Sequence, residues 1–235
     1  MKPKRKNINT PPYWDEKYKG LGKPERILYS PHKNMYEKIC DLIFSFKHDK
    51  MVDVGAGTCV IAFLLEKRNF HFKDRYMLNI DHSKVGLEIG QTRLKETNVD
   101  IDIKVSDITK PIDMSDMEHQ DNYDLVTCCE VLEHLTEPVL ALKNMEKLVS
   151  DKGRVIVSVP HGRSPYKDHY WISIDNETMV GWHEAVGLTV DTITIVDRWK
   201  IFISRKITKE DAERMLSNES KRRVKADLCI PVKAE

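Results

Sequence analysis

The chain has 235 residues, of which 40% are hydrophobic and 32% charged, with a formal net charge of +1. That composition fits one globular domain with a sizeable core and no global attraction to nucleic acid. No apolar run approaches the roughly 18 residues of a membrane span, and five cysteines, odd in number and without a C-x-x-C pair, exclude a disulfide framework or a zinc ribbon.

The cysteines point to a reducing compartment, and the basic start, Met1 to Lys6, lacks the apolar segment of a signal peptide. A cytoplasmic protein is therefore expected, with the basic tracts Lys2 to Lys6 and Lys221 to Lys225 as solvated tails. Residues 1–47 precede the first strand and read as a helical extension or lid. In them Ser30 is the expected cap of a helix through Phe46, with Met35, Ile39, Leu42, Ile43 and Phe46 as its apolar stripe. The β-former run 51–54, interrupted by Asp53, breaks into Gly55-x-Gly57, and a helix follows near 58–68. Glycines there let backbone approach a nucleotide-sized ligand, and the helix start offers unpaired N–H groups.

A second strand, 75–80, ends at Asp81 and leads to a helix near 83–96. The third, about 101–105, is followed by Asp107, and the fourth, 123–129, by Glu130. Thr136 and Pro138 suit the start of a helix over 137–149, and a fifth strand spans 154–159. Asp175 and Gly187 bracket a helix over 176–186. The runs 188–196 and 199–204 are separated by two residues, too few for a crossover helix, so they should pair as a hairpin. Residues 48–206 thus predict an α/β fold, a doubly wound sheet of seven strands, mostly parallel with a terminal antiparallel hairpin. Residues 207–235 read as a C-terminal helix, to about Val224, and a tail.

Asp53-x-Gly55-x-Gly57, Asp81, Asp107 and Glu130 in these positions resemble the class I S-adenosylmethionine-dependent methyltransferases, which are Rossmann-like. The resemblance runs from about Tyr13 to Ser204 and includes the Tyr13–Tyr18 phrase and the Glu130-Val-Leu-Glu-His134 segment. It implies S-adenosyl-L-methionine as cofactor, bound by Asp53, Gly55, Gly57, Thr58, Asp81, His82, Asp107, Ile108 and Glu130. Asp81 would accept both ribose hydroxyls. Asp107 would face the adenine amino group with Ile108 beside the ring. Asp53 and Glu130 would lie near the cationic sulfonium and the amino-acid end. Helix capping is the local alternative for such edge acids. Cys59 stands where the family commonly has a third glycine, which makes the turn less permissive. A dinucleotide-binding domain competes, but it needs glycine where this chain has Val60 and predicts neither the hairpin nor the Glu130 segment.

Methyl transfer from a sulfonium is an in-line displacement, so the protein positions the acceptor and, in some cases, removes its proton. Glu130, His134 and His169 are the candidate catalytic residues, with His161 and Asp168 nearby in sequence. Glu130, Glu133, His134 and His169 would together offer two carboxylates and two imidazoles to Mg²⁺ or Mn²⁺. That set resembles the metal site of 3′-terminal small-RNA ribose 2′-O-methyltransferases, and a similar Glu-x-x-Glu-His occurs in ubiquinone-pathway O-methyltransferases. The alternatives are His169 as a metal-free general base and His134 as a packed loop residue. Tyr13, Trp14, Tyr18, Tyr166, Tyr170 and Trp171 would form a lid and a pocket for a flat acceptor, or serve as buried anchors. The expected activity is methyl transfer to an oxygen or nitrogen of a small acceptor. RNA ribose 2′-O-methylation and a non-catalytic, cofactor-binding regulatory protein are the alternatives. No membrane partner is expected, and oligomeric state is left open.

Overall fold

Strand-forming and helix-forming segments alternate from residue 50, and the central strands at 50–54, 76–81 and 123–129 are buried on both faces because helices cover both. The computed structural model describes residues 8–214 apart from 98, 163–165 and 172. The terminal basic tracts, Cys229 and the expected C-terminal helix past Arg214 lie outside the described residues. The main elements are α1 (Pro11–Leu21), α2 (Lys33–Ser45), β1 (Lys50–Val54), α3 (Val60–Lys67), β2 (Tyr76–Asp81) and α4 (Lys84–Lys95). They continue with β3 (Asp102–Val105), β4 (Tyr123–Cys129), α5 (Pro138–Leu148), β5 (Val149–Pro160), α6 (Asn176–Glu184), β6 (Leu188–Val196) and β7 (Trp199–Lys206).

The seven strands form one sheet in the order β3-β2-β1-β4-β5-β7-β6. β1 to β5 are parallel, while β7 runs antiparallel to both β5 and β6. Successive strand side chains point to opposite faces, so Met51 joins a core with Met35, Ile39 and Phe63, while Val52 and Val54 join another with Leu142, Met145 and Met179. The order reverses between β1 and β4, which opens a crevice at their carboxyl ends, the usual ligand position in such sheets.

Three expectations are corrected. β5 starts at Val149, immediately after α5, rather than at Arg154; Val149 pairs with Tyr123, so no loop separates helix from strand. The cap of α2 is His32, not Ser30, although the Ser30 hydroxyl accepts the His32 amide at 3.2 Å. α5 is preceded by Glu137 rather than Thr136, without a side-chain cap, and Pro138 opens its first turn with the fixed φ a helix start accepts. Asp175 does cap α6, accepting from the Thr178 amide at 2.7 Å.

Candidate active site

The turn between β1 and α3 needs left-handed backbone at Gly55, Gly57 and Cys59. A Cβ on Gly55 would fall 2.2 Å from Val131, and one on Gly57 2.8 Å from the Tyr18 hydroxyl. Cys59 adopts φ 56° and ψ 44°, so a side chain sits in the conformation where glycine costs least.

Asp81 is buried at the end of β2, where its carboxylate accepts from the Gly57 amide at 2.9 Å and the Ser83 amide at 2.7 Å. Burial raises its pKa against these stabilising bonds. With His82, Asp107, Ile108, Gly55 and Glu130 it lines a cavity of about 60 Å³. Asp107 spends much of its carboxylate locally, accepting from the Thr109 amide and hydroxyl at 3.0 and 2.7 Å. Burial alone would raise its pKa, but the bonds from Thr109 and Lys110 hold it below the usual range. Asp53 lines neither of the two cavities at this edge. It lies buried beneath the turn, accepts from Thr127 Oγ1 at 2.7 Å, and is pushed up to about 7 by burial.

A larger cavity of about 600 Å³ opens beside the first, lined by Gly55, Gly57, Thr58, Glu130, Glu133 and His134 among others. The two cavities share Trp14, Tyr18, Gly55, Glu130 and His134 as a common wall. α1 spans this wall. On one side Asp15 accepts from Ser83 Oγ at 2.5 Å. On the other, the Tyr13 hydroxyl (3.0 Å) and Lys17 Nζ donate to Asp168. Asn9 Nδ2 bridges the carbonyls of His134 and Asp168 at 2.9 and 2.8 Å.

Glu133, His134 and His169 converge, with potential ligand atoms all within 4.8 Å of one another. Glu133 is 1% exposed and neither carboxylate oxygen has a hydrogen-bond partner. Burial, and then the nearby Glu130, push its pKa well up. His134 Nδ1 donates to the Asp168 carbonyl at 2.9 Å, which leaves the Nε2 lone pair facing Glu133 Oε1 at 4.0 Å. His169 Nδ1 is buried without a partner, and burial followed by His134 lowers its pKa to about 4. The Tyr170 and Trp171 amides donate to the Glu133 carbonyl at 2.7 and 3.0 Å, tying this loop to the turn after β4.

Glu130 stands apart from that trio. Its backbone is left-handed (φ 58°), and its carboxylate accepts from Ser158 Oγ at 3.1 Å and Trp199 Nε1 at 2.7 Å. His32 Nε2 lies 3.8 Å away, and burial pushes Glu130 up to about 7. His161 is exposed and makes no side-chain bond to the group. Asn9, Lys17, His32 and Trp199 were not singled out as site residues from sequence. Only Lys17 carried a signal, lying inside the Tyr13–Tyr18 phrase.

Over residues 45–218 the chain matches the family described as Methyltransferase domain, and it belongs to that family. Fold and family together define the class as S-adenosylmethionine-dependent methyltransferases of the Rossmann-like type. Among curated proteins, Ubiquinone biosynthesis O-methyltransferase of Acinetobacter baumannii is 31% identical over 109 residues, 46% of this chain and 43% of that protein. The chain thus aligns with less than half the length of such relatives. Among solved structures, a SAM-dependent methyltransferase from Aquifex aeolicus superposes with a TM-score of 0.64 at 14% identity, covering 82% of this chain and 98% of that one. The [4+2]-cyclase SpnF superposes with a TM-score of 0.58 at 15% identity, over 72% and 80% of the two chains. Both show the fold alone, and the second is a reminder that one fold hosts different chemistries.

Proposed function

We propose that this protein transfers the methyl group of S-adenosylmethionine to an oxygen of a small acceptor, with nitrogen as the alternative atom. The observation that carries this reading is the common wall of the two cavities. A cofactor with its ribose at Asp81 in the smaller one, and its remainder running past Gly55 and Glu130, can present its methyl group to an acceptor in the larger one. The O-methyltransferase relatives favour oxygen, and the RNA ribose reading has no support among the likenesses above. The four described cysteines are free thiols, which suits a cytoplasmic site.

In the reaction the acceptor oxygen attacks the methyl carbon, the carbon–sulfur bond breaks with its electron pair going to sulfur, and a protein base takes the acceptor proton. The trio Glu133, His134 and His169 faces this task. Its orphaned, buried carboxylate and its oriented imidazole fit a divalent cation, with Asp168 as the outer partner that sets the His134 tautomer. When bound, such an ion lowers the pKa of an acceptor hydroxyl. The chain's own part is to hold the acceptor, exclude water with α1, and receive the proton at His169 or His134, both neutral near pH 7 because burial lowers their pKa values.

Calorimetry tests the cofactor first: S-adenosylmethionine should bind and NAD should not. Release of S-adenosylhomocysteine from pools of small hydroxylated acceptors then tests turnover. Binding of NAD in place of S-adenosylmethionine would refute the reading.

A further inference from the structure

We propose that the acceptor is an aromatic hydroxy compound carrying an anionic group, carboxylate or phosphate, and that Arg26 recognises this group. The inference rests on the methyltransferase reading and deepens it. Arg26 lies in the short 3₁₀ segment Pro24–Tyr29 between α1 and α2 and lines the larger cavity. Its Nη1 donates to the carbonyls of Gly20 and Leu21 at 3.2 and 3.1 Å, at the end of α1. Those two bonds hold one corner of the exposed guanidinium and leave its Nε–Nη2 edge, which forks onto a carboxylate or phosphate, without a partner among the described residues. Among the described residues no acid pairs with Arg26, whereas Lys17, on the same cavity, is committed to Asp168. Lys23, also lining the cavity, adds positive charge and has among the described residues only a 4.0 Å contact to Glu96.

Lys23 and Arg26 lie at the α1–α2 connection, while Glu130, where the cavities meet, and the buried Glu133 lie at the sheet edge. An anion held at the connection by Arg26 and Lys23 leaves the opposite, hydroxyl-bearing end to reach the sheet edge and the methyl group. Tyr29, 90% exposed, and Tyr166, 55% exposed, line the same cavity. Tyr166 also makes a ring contact with His169, 5.2 Å between centroids, while Tyr29, so open at the cavity, suits stacking on a flat ring. At about 600 Å³, the space lies within the range for drug-sized ligands, roughly 300–1,000 Å³.

The test is calorimetric titration of the full chain, saturated with S-adenosylhomocysteine, with 3-hydroxybenzoate and its neutral amide, 3-hydroxybenzamide. Wild type should bind the carboxylate about tenfold more tightly than the amide, the scale of a charge-assisted hydrogen bond. Arg26→Gln should erase that preference, Arg26→Lys should keep part of it, and neither should change affinity for S-adenosylhomocysteine. Thermal melting of each variant confirms that it is folded. Equal affinity for the two probes, or no binding of the carboxylate by loaded wild type, overturns the proposal. So does a loss of S-adenosylhomocysteine affinity in Arg26→Gln, which would assign the guanidinium to the cofactor's own carboxylate. If wild type fails to bind S-adenosylhomocysteine at all, the methyltransferase reading itself falls.

Discussion

Asp81 performs two jobs with one side chain. Its oxygens accept the Gly57 and Ser83 amides, which locks the glycine turn to the start of α4, and the same carboxylate lines the smaller cavity. Asp81→Ala should therefore weaken S-adenosylmethionine binding by about 1.5–3 kcal/mol, the scale of hydrogen bonds to a charged group. Calorimetry checks this, and unchanged affinity would show that the ribose lies elsewhere. Asp53, one strand away, has a different signature. Burial pushes its pKa up to about 7 from a usual value of 3.8. Between about pH 4 and pH 7 the folded chain keeps a proton that the unfolded chain has released. Its contribution is thus most favourable below the unfolded pKa and is lost as pH rises through about 7. Melting temperatures of wild type relative to Asp53→Asn should fall across that window; a constant difference would mean that Asp53 titrates normally.

Among the elements, α1 is the one that touches both halves of the site. Asp15 reaches Ser83 beside the smaller cavity, while Tyr13 and Lys17 reach Asp168, whose carbonyl orients His134. Each polar contact is individually modest, because partly exposed ion pairs contribute only about 0–1 kcal/mol. Their effect on catalysis should be positional and separable. Asp15→Ala should raise the dissociation constant for S-adenosylmethionine several-fold. Lys17→Ala should leave that constant nearly unchanged and lower kcat, because Asp168 and with it His134 lose their anchor. Steady-state kinetics beside calorimetry distinguishes the two, and parallel effects of both variants would show that α1 acts only as a cover.

At the scale of the whole molecule, one sheet edge carries two adjoining cavities, which the proposed function assigns to cofactor and acceptor. If Glu133, His134 and His169 hold a divalent ion, EDTA should abolish turnover and Mg²⁺ or Mn²⁺ should restore it, with S-adenosylmethionine affinity intact. His169→Ala should mimic the chelator. Activity that resists EDTA but is lost in His169→Ala would make His169 a metal-free general base. Its lowered pKa, about 4, would then place the acid limb of the rate profile near that pH, with rate rising as pH increases through it.

What the amino-acid sequence by itself determined was whatever depends on neighbours along the chain. The β1–turn–α3 unit, the acids ending the strands, the Asp175 cap and the closing hairpin all follow from local periodicity, glycine placement and short links. The start of β5 was not legible, because Val149 passes from α5 into the strand with no turn residue to mark the change. The direction of Glu130 was not legible either. Spacing put it beside Glu133 and His134, but its left-handed backbone aims the carboxyl at Ser158 and Trp199, 28 and 69 positions away. Only the tertiary structure brought Asn9 and Lys17 to Asp168 and set Arg26 on the cavity wall, because those contacts come from packing α1 and its following segment across the sheet edge. Packing over more than 150 residues leaves no periodic trace in the chain.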